Sequence, residues 1–166
     1  MSELIRIKPH HFVDILCSFG DGQRTFEPHP YGHAVHTVSL RILEDPDVLL
    51  EMDLGADDIC RPCKHNIGGL CDDVIDTSYR PAAPRSKRES NILLDRRWCE
   101  RLGLAQGDRL TAREFARRIR DLAGDITGIY LEIPRDRTAR RAASLAKGIA
   151  FILGEEKEKA PPRRRR

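Results

Sequence analysis

The sequence predicts an α+β fold, mostly helical, in a small single domain with short strands and a cysteine-rich loop. Three observations carry that expectation. Several stretches repeat apolar residues at helical spacing and close on glycine or proline. Two stretches, Leu4 to Lys8 and Asp47 to Leu54, alternate with the period of a half-buried strand. Three of the five cysteines fall between Asp57 and Cys71. With 166 residues and 40% hydrophobic content, the chain can bury one core without help from disulfides. Residues 1–154 are therefore assigned to one domain, and 155–166 to a disordered charged tail ending in four arginines.

Each element has its own signal. LIRIK reads as a short strand bounded by Pro9, which cannot donate to a ladder. The segment HHFVDILCSFG places Phe12, Ile15, Leu16 and Phe19 on one helical face, with Gly20 at its end. An irregular loop, GDGQRTFEPHPYG, leads to a second helix, HAVHTVSLRILED, striped by Val35, Val38 and Ile42. The strand DVLLEMDL then delivers the chain into the cysteine cluster. After Cys71 the segment through SYRPAAPRSKRES reads as an exposed connector. Helix returns at NILLDRRWCERLGL, with Gly103 as its stop. In LTAREFARRIRDLAG, Thr111 and Glu114 form a capping box, and Phe115, Ile119 and Leu122 make the core face. An apolar piece from Ile129 to Ile133 precedes a closing helix that carries Ala142, Leu145, Ile149 and Ile152.

The cysteine pattern C-x2-C-x7-C, formed by Cys60, Cys63 and Cys71, supplies three thiolates from one loop. The lack of an apolar span or a secretory signal points to a soluble cytoplasmic protein, where thiols stay reduced and clustered cysteines favour metal over disulfides. The fourth ligand is expected to be Cys17, which ends a helix beginning beside two histidines. Its competitor, Cys99, sits within the Trp98 helix, where a thiol usually packs as core. Structural zinc ribbons pair two C-x2-C knuckles; one knuckle joined by two lone cysteines better suits a [4Fe–4S] cluster, with tetrahedral zinc as the alternative. Arg61, Lys64 and His65 would offset the cluster's negative charge, or simply keep an exposed turn soluble. Asp57 and Asp58 are expected to cap the turn through backbone amides and not to ligate metal.

These residues carry a resemblance. KPHHFVDILCSFGDG, LGADDICRPCKHNIGGLC and LLDRRWCERLGLAQGDRLTAREF together resemble the domain of unknown function 1284 family, a bacterial and archaeal set of iron–sulfur proteins without an assigned activity. The resemblance runs from Ile5 to Leu122. It implies an iron–sulfur cofactor at Cys17, Cys60, Cys63 and Cys71, and implies nothing about the helix after Pro134 or the arginine tail. Lys8 stands where the family tends to carry arginine.

His10 and His11 are candidates for an acid–base or ligand role, against the plainer reading that they fix a helix start. His33 and His36 are weaker candidates. Net charge is only +3, much of it in the tail, so nucleic-acid binding is not expected except through those arginines. No nucleotide fingerprint, P-loop or nucleophile elbow is present. The leading expectation is an iron–sulfur protein that passes electrons to, or docks on, a protein partner. Its rivals are an enzyme that uses the cluster as a Lewis acid beside a histidine, and a zinc-stabilised interaction module.

Overall fold

A computed structural model describes residues 3–155. The tail assigned to 155–166 lies outside that range except for Glu155. Three short strands, β1 (Ile5–Ile7), β2 (Leu49–Met52) and β5 (Arg109–Thr111), form the central sheet in that order. β1 (Ile5–Ile7) runs parallel to β2 (Leu49–Met52), with Ile5 opposite Leu50 and Ile7 opposite Met52. Their alternation is that of a half-buried strand: Ile5, Ile7, Leu50 and Met52 are all fully buried.

A parallel pair needs a crossover. Here it is made by α1 (Pro9–Gly20), the irregular loop and α2 (Val35–Glu44), whose Val38 and Ile42 face the core. Pro9 both ends β1 and opens α1 at a first-turn position, where its missing N–H costs no hydrogen bond. After β2 the chain enters the cysteine segment, which contains a minimal hairpin of β3 (Asn66–Ile67) and β4 (Leu70–Cys71).

The connector is shorter than the sequence suggested. α3 (Lys87–Leu102) begins four residues earlier than expected, because the Ser86 hydroxyl accepts from the Glu89 amide and caps it. Gly103, in the left-handed conformation with φ 64°, ends it as expected. β5 (Arg109–Thr111) pairs antiparallel with β2, Leu110 opposite Leu50. Three residues are too few to show periodicity in the sequence. Thr111 and Glu114 form the capping box of α4 (Ala112–Leu122). Phe115 and Ile119 are buried, but Leu122 is 51% exposed, since the helix ends there and Ala123 turns inward instead.

The apolar piece before Pro134 is not a strand: a single 3-10 turn, Ile126–Gly128, is followed by buried Ile129 and Tyr130. α5 (Arg135–Ile152) then lies along α1, its most extensive partner. Two glycines set that approach. A Cβ on Gly148 would collide with the backbone of Leu16, and one on Gly20 with the backbone of Ser144. The core between the layers is completed by Phe12 stacked on Phe115, centroids 4.3 Å apart, and by Trp98, whose Nε1–H donates to the Tyr130 hydroxyl at 3.2 Å.

Candidate metal centre

The cysteine segment is tied to the end of β1 by two neighbouring carboxylates. Asp58 Oδ2 accepts from the Arg6 amide at 2.8 Å, while its own amide donates to the Arg6 carbonyl at 3.1 Å. Asp57 is fully buried and accepts from three groups. Its Oδ1 takes the Cys60 amide at 3.0 Å; its Oδ2 takes the Lys8 amide at 2.8 Å and His11 Nδ1 at 2.6 Å. The expected capping role of Asp57 is thus present, and it extends to a helix start as well as a turn. Burial opposes ionisation of this carboxyl, but His11 and the donors around it win and hold it well below the usual carboxylate range. Burial and neighbouring His10 lower the His11 pKa. Against an ionised Asp57, His11 Nδ1 is the donor of the 2.6 Å bond.

Beyond Cys60 the chain turns tightly. The Cys63 amide donates to the Cys60 carbonyl, and the Asn66 amide to the Cys63 carbonyl, both at 3.0 Å. The hairpin then reverses at Gly68 and Gly69, with φ 59° and 87°, and sets Cys71 opposite Asn66. Consecutive positive φ values are what a tight two-residue hairpin demands, and glycine adopts them freely. The loop before α2 lies across this segment: the Lys64 amide donates to the Tyr31 carbonyl at 2.7 Å, and the Ala34 amide to the Ile59 carbonyl at 3.0 Å. His65 packs edge-on to Tyr31 and bonds Asp72 at 2.7 Å.

Cys60, Cys63 and Cys71 line one cavity of about 400 Å³ together with His10, His11, His33 and His65. Its charged lining has five cationic side chains, Lys8, Arg80, Lys87, Arg88 and Arg141, against three carboxylates, Asp14, Asp73 and Asp95. Lys8 Nζ stands 3.5 Å from Cys60 Sγ. Burial and the Asp57 charge push the Cys60 thiol up to about 12, with Lys8 pulling the other way. Among the described residues, His11, Asp57 and Cys60 form a group whose ligand atoms all lie within 4.8 Å of one another, a spacing able to hold a single metal ion. The five cysteines form no disulfide.

Cys17, expected as the fourth ligand, lines a different cavity. Cys17 is buried on the α5 side of α1, its Sγ donating to the Arg141 carbonyl at 3.7 Å. It lines a neighbouring cavity of about 650 Å³ that shares Asp14, Ile133 and Arg141 with the first. Burial pushes its thiol up to about 12. Cys99 lines neither cavity and packs in the core, as the sequence suggested.

His10 does fix the helix start: both its backbone amide, at 2.9 Å, and its Nδ1, at 2.8 Å, reach Asp95 Oδ1 on α3. Burial alone would lower its pKa, but Asp95 overrides this and leaves it raised. His33 reaches the cavity and stacks on His29, centroids 4.4 Å apart, whereas His36 does not line it. Asp95 had no local signal, because its partner lies far away in the sequence. The Asn-Ile-Gly-Gly-Leu-Cys hairpin did have one, in its glycine pair. Comparison with known proteins adds no relative: no family model, curated protein or solved structure matches this chain.

Proposed function

We propose that this chain is a small iron–sulfur protein in which Cys60, Cys63 and Cys71 hold a [4Fe–4S] cluster, and that it passes electrons to, or docks on, a protein partner. The observation carrying this reading is that three thiols from one loop line a single cavity. Supporting it, the cavity has more cationic than acidic side chains, and a thiolate-bound cluster is anionic. The oxygens of Asp57 are committed to amides and to His11. That suits a carboxylate that shapes the thiolate loop better than one that ligates a single ion. Metal binding at Cys60 would displace the proton of its raised thiol into solvent, which makes loading pH-dependent.

The position of Cys17 favours a second reading, the enzyme. With that thiol in the neighbouring cavity, a cluster held by the other three would keep one iron for a histidine or a substrate. When bound, such a cluster supplies a Lewis acid; His11, with its proton fixed on Nδ1 by Asp57, supplies a base at Nε2.

Anaerobic purification with metal analysis tests both readings. Brown absorbance bleached by dithionite, lost on replacing Cys60, Cys63 or Cys71 by alanine and kept in Cys99→Ala, is the expected result. A colourless protein with one zinc overturns the cluster. Iron loss in Cys17→Ala makes Cys17 the fourth ligand and removes the open iron; iron retention supports the enzyme.

A further inference from the structure

The larger cavity, between α1 and α5, belongs to neither the cysteine loop nor its histidines. Three arginines of α5 enter its lining, Arg137, Arg140 and Arg141, at positions i, i+3 and i+4 on one helical face. Like charges at that spacing repel, so their convergence is unfavourable until something anionic lies between them. The two carboxylates that line the cavity, Asp14 and Asp21, leave it one positive charge in excess. Asp14 is engaged by Arg141 at 2.7 Å, and Asp21 accepts from the Ser144 hydroxyl. Among the described residues, Arg140 pairs only with Asp136 on its own helix, an exposed pair worth little. Arg137 stands over the Tyr79 ring at 4.0 Å, and among the described residues no carboxylate lies within ion-pair distance of it. An aromatic covering the guanidinium face leaves its N–H edge for a bidentate acceptor. Ser18 also lines the cavity and adds a hydroxyl.

We propose that this cavity binds a small molecule carrying a dianionic oxyanion group, a phosphate or paired carboxylates, gripped by Arg137 and Arg140. Its volume of about 650 Å³ suits a metabolite-sized ligand. The Asp14–Arg141 pair forms the wall shared with the thiol cavity. The site stands on the arginine geometry alone and does not depend on a cluster being present.

Isothermal titration of the purified full chain with inorganic phosphate and with succinate tests it, at fixed ionic strength and with iron content measured on the same sample. We expect saturable one-site binding of at least one probe. Arg137→Gln should weaken it by ~10-fold or more, while Arg117→Gln, an exposed change of equal charge on α4, should leave it unchanged. Melting curves confirm that both variants fold. Preference for phosphate assigns a phosphorylated ligand, and preference for succinate a polycarboxylate. Absence of saturable heat with either probe, or equal weakening by both variants, overturns the proposal. Binding through Arg137 in an anaerobic preparation that is colourless and holds one zinc sinks the cluster reading and leaves this one standing.

Discussion

The α1–α5 seam and the cysteine segment solve the same problem, holding two distant parts of the chain together, by opposite means. In the seam, side chains have been removed: Gly20 and Gly148 let two helices meet backbone against backbone, and a row of buried apolar residues does the rest. In the cysteine segment there is little apolar surface to bury, and Ile67, Leu70 and Val74 are each more than half exposed. That segment is held by individual polar bonds that converge on a few carboxylates, above all Asp57. The difference teaches where each region is vulnerable. The seam fails through volume, and the loop fails through the loss of one charge.

The sharpest way to break the comparison is to add volume to the seam. Gly148→Ala should destabilise by about 3 kcal/mol or more, because the new methyl meets the Leu16 backbone and not a movable side chain. Thermal melting should show a fall of roughly 10 °C for a domain of this size. A near-wild-type melt would mean the helices can part freely.

Next in size is Asp57→Ala, which strands two backbone amides and His11 and should cost about 2–4 kcal/mol. Under the proposed cluster, iron content should fall with it, whereas the same loss of stability produced in the seam by a milder variant should leave iron intact. If metal loading tracks stability in both regions alike, the two are not separate devices.

The His10–Asp95 pair sharpens the contrast through pH. Asp95 raises the His10 pKa above its unfolded value, so the pair's contribution is whole below about pH 6.5 and is lost as pH rises through the folded value. Urea midpoints should show this component in the wild type and lose it in Asp95→Asn. An unchanged pH profile in that variant would show that the ionic part of the bond contributes nothing.

The smallest expected effect is Gly69→Ala. Open space surrounds the position, but its φ of 87° strains any other residue. The cost should be about 1 kcal/mol, visible in amide exchange across Asn66–Cys71 and barely in the global melt.

Elements with several turns of periodic apolar residues were legible in the sequence: α1, α2, α4, α5 and β2 all stand where the pattern put them, within a few residues. What escaped was whatever rests on too few residues or on distant partners. β5 is three residues long, and the start of α3 rests on one Ser86 hydroxyl. The shared cavity of Cys60, Cys63 and Cys71 followed from their spacing, and so did the capping by Asp57. The placement of Cys17 in the lining of the neighbouring cavity did not. Along α1 it lies seven residues after His10 and three after Asp14, which suggests a common face; but α5 covers its end of the helix, and no periodicity in α1 announces which neighbour arrives there.

The position of α5 also orders events during synthesis. Proteins emerge from the ribosome N-terminus first, and the contacts between α1 and α5 join segments separated by most of the described chain, so they are late to form. Cys71 is translated well before Tyr130, Ile133 and Arg141, which complete the wall of its cavity. A growing chain therefore presents its three loop thiols to the cell before the compartment that encloses them exists, and any metal they take up then is taken without the finished cavity to select it.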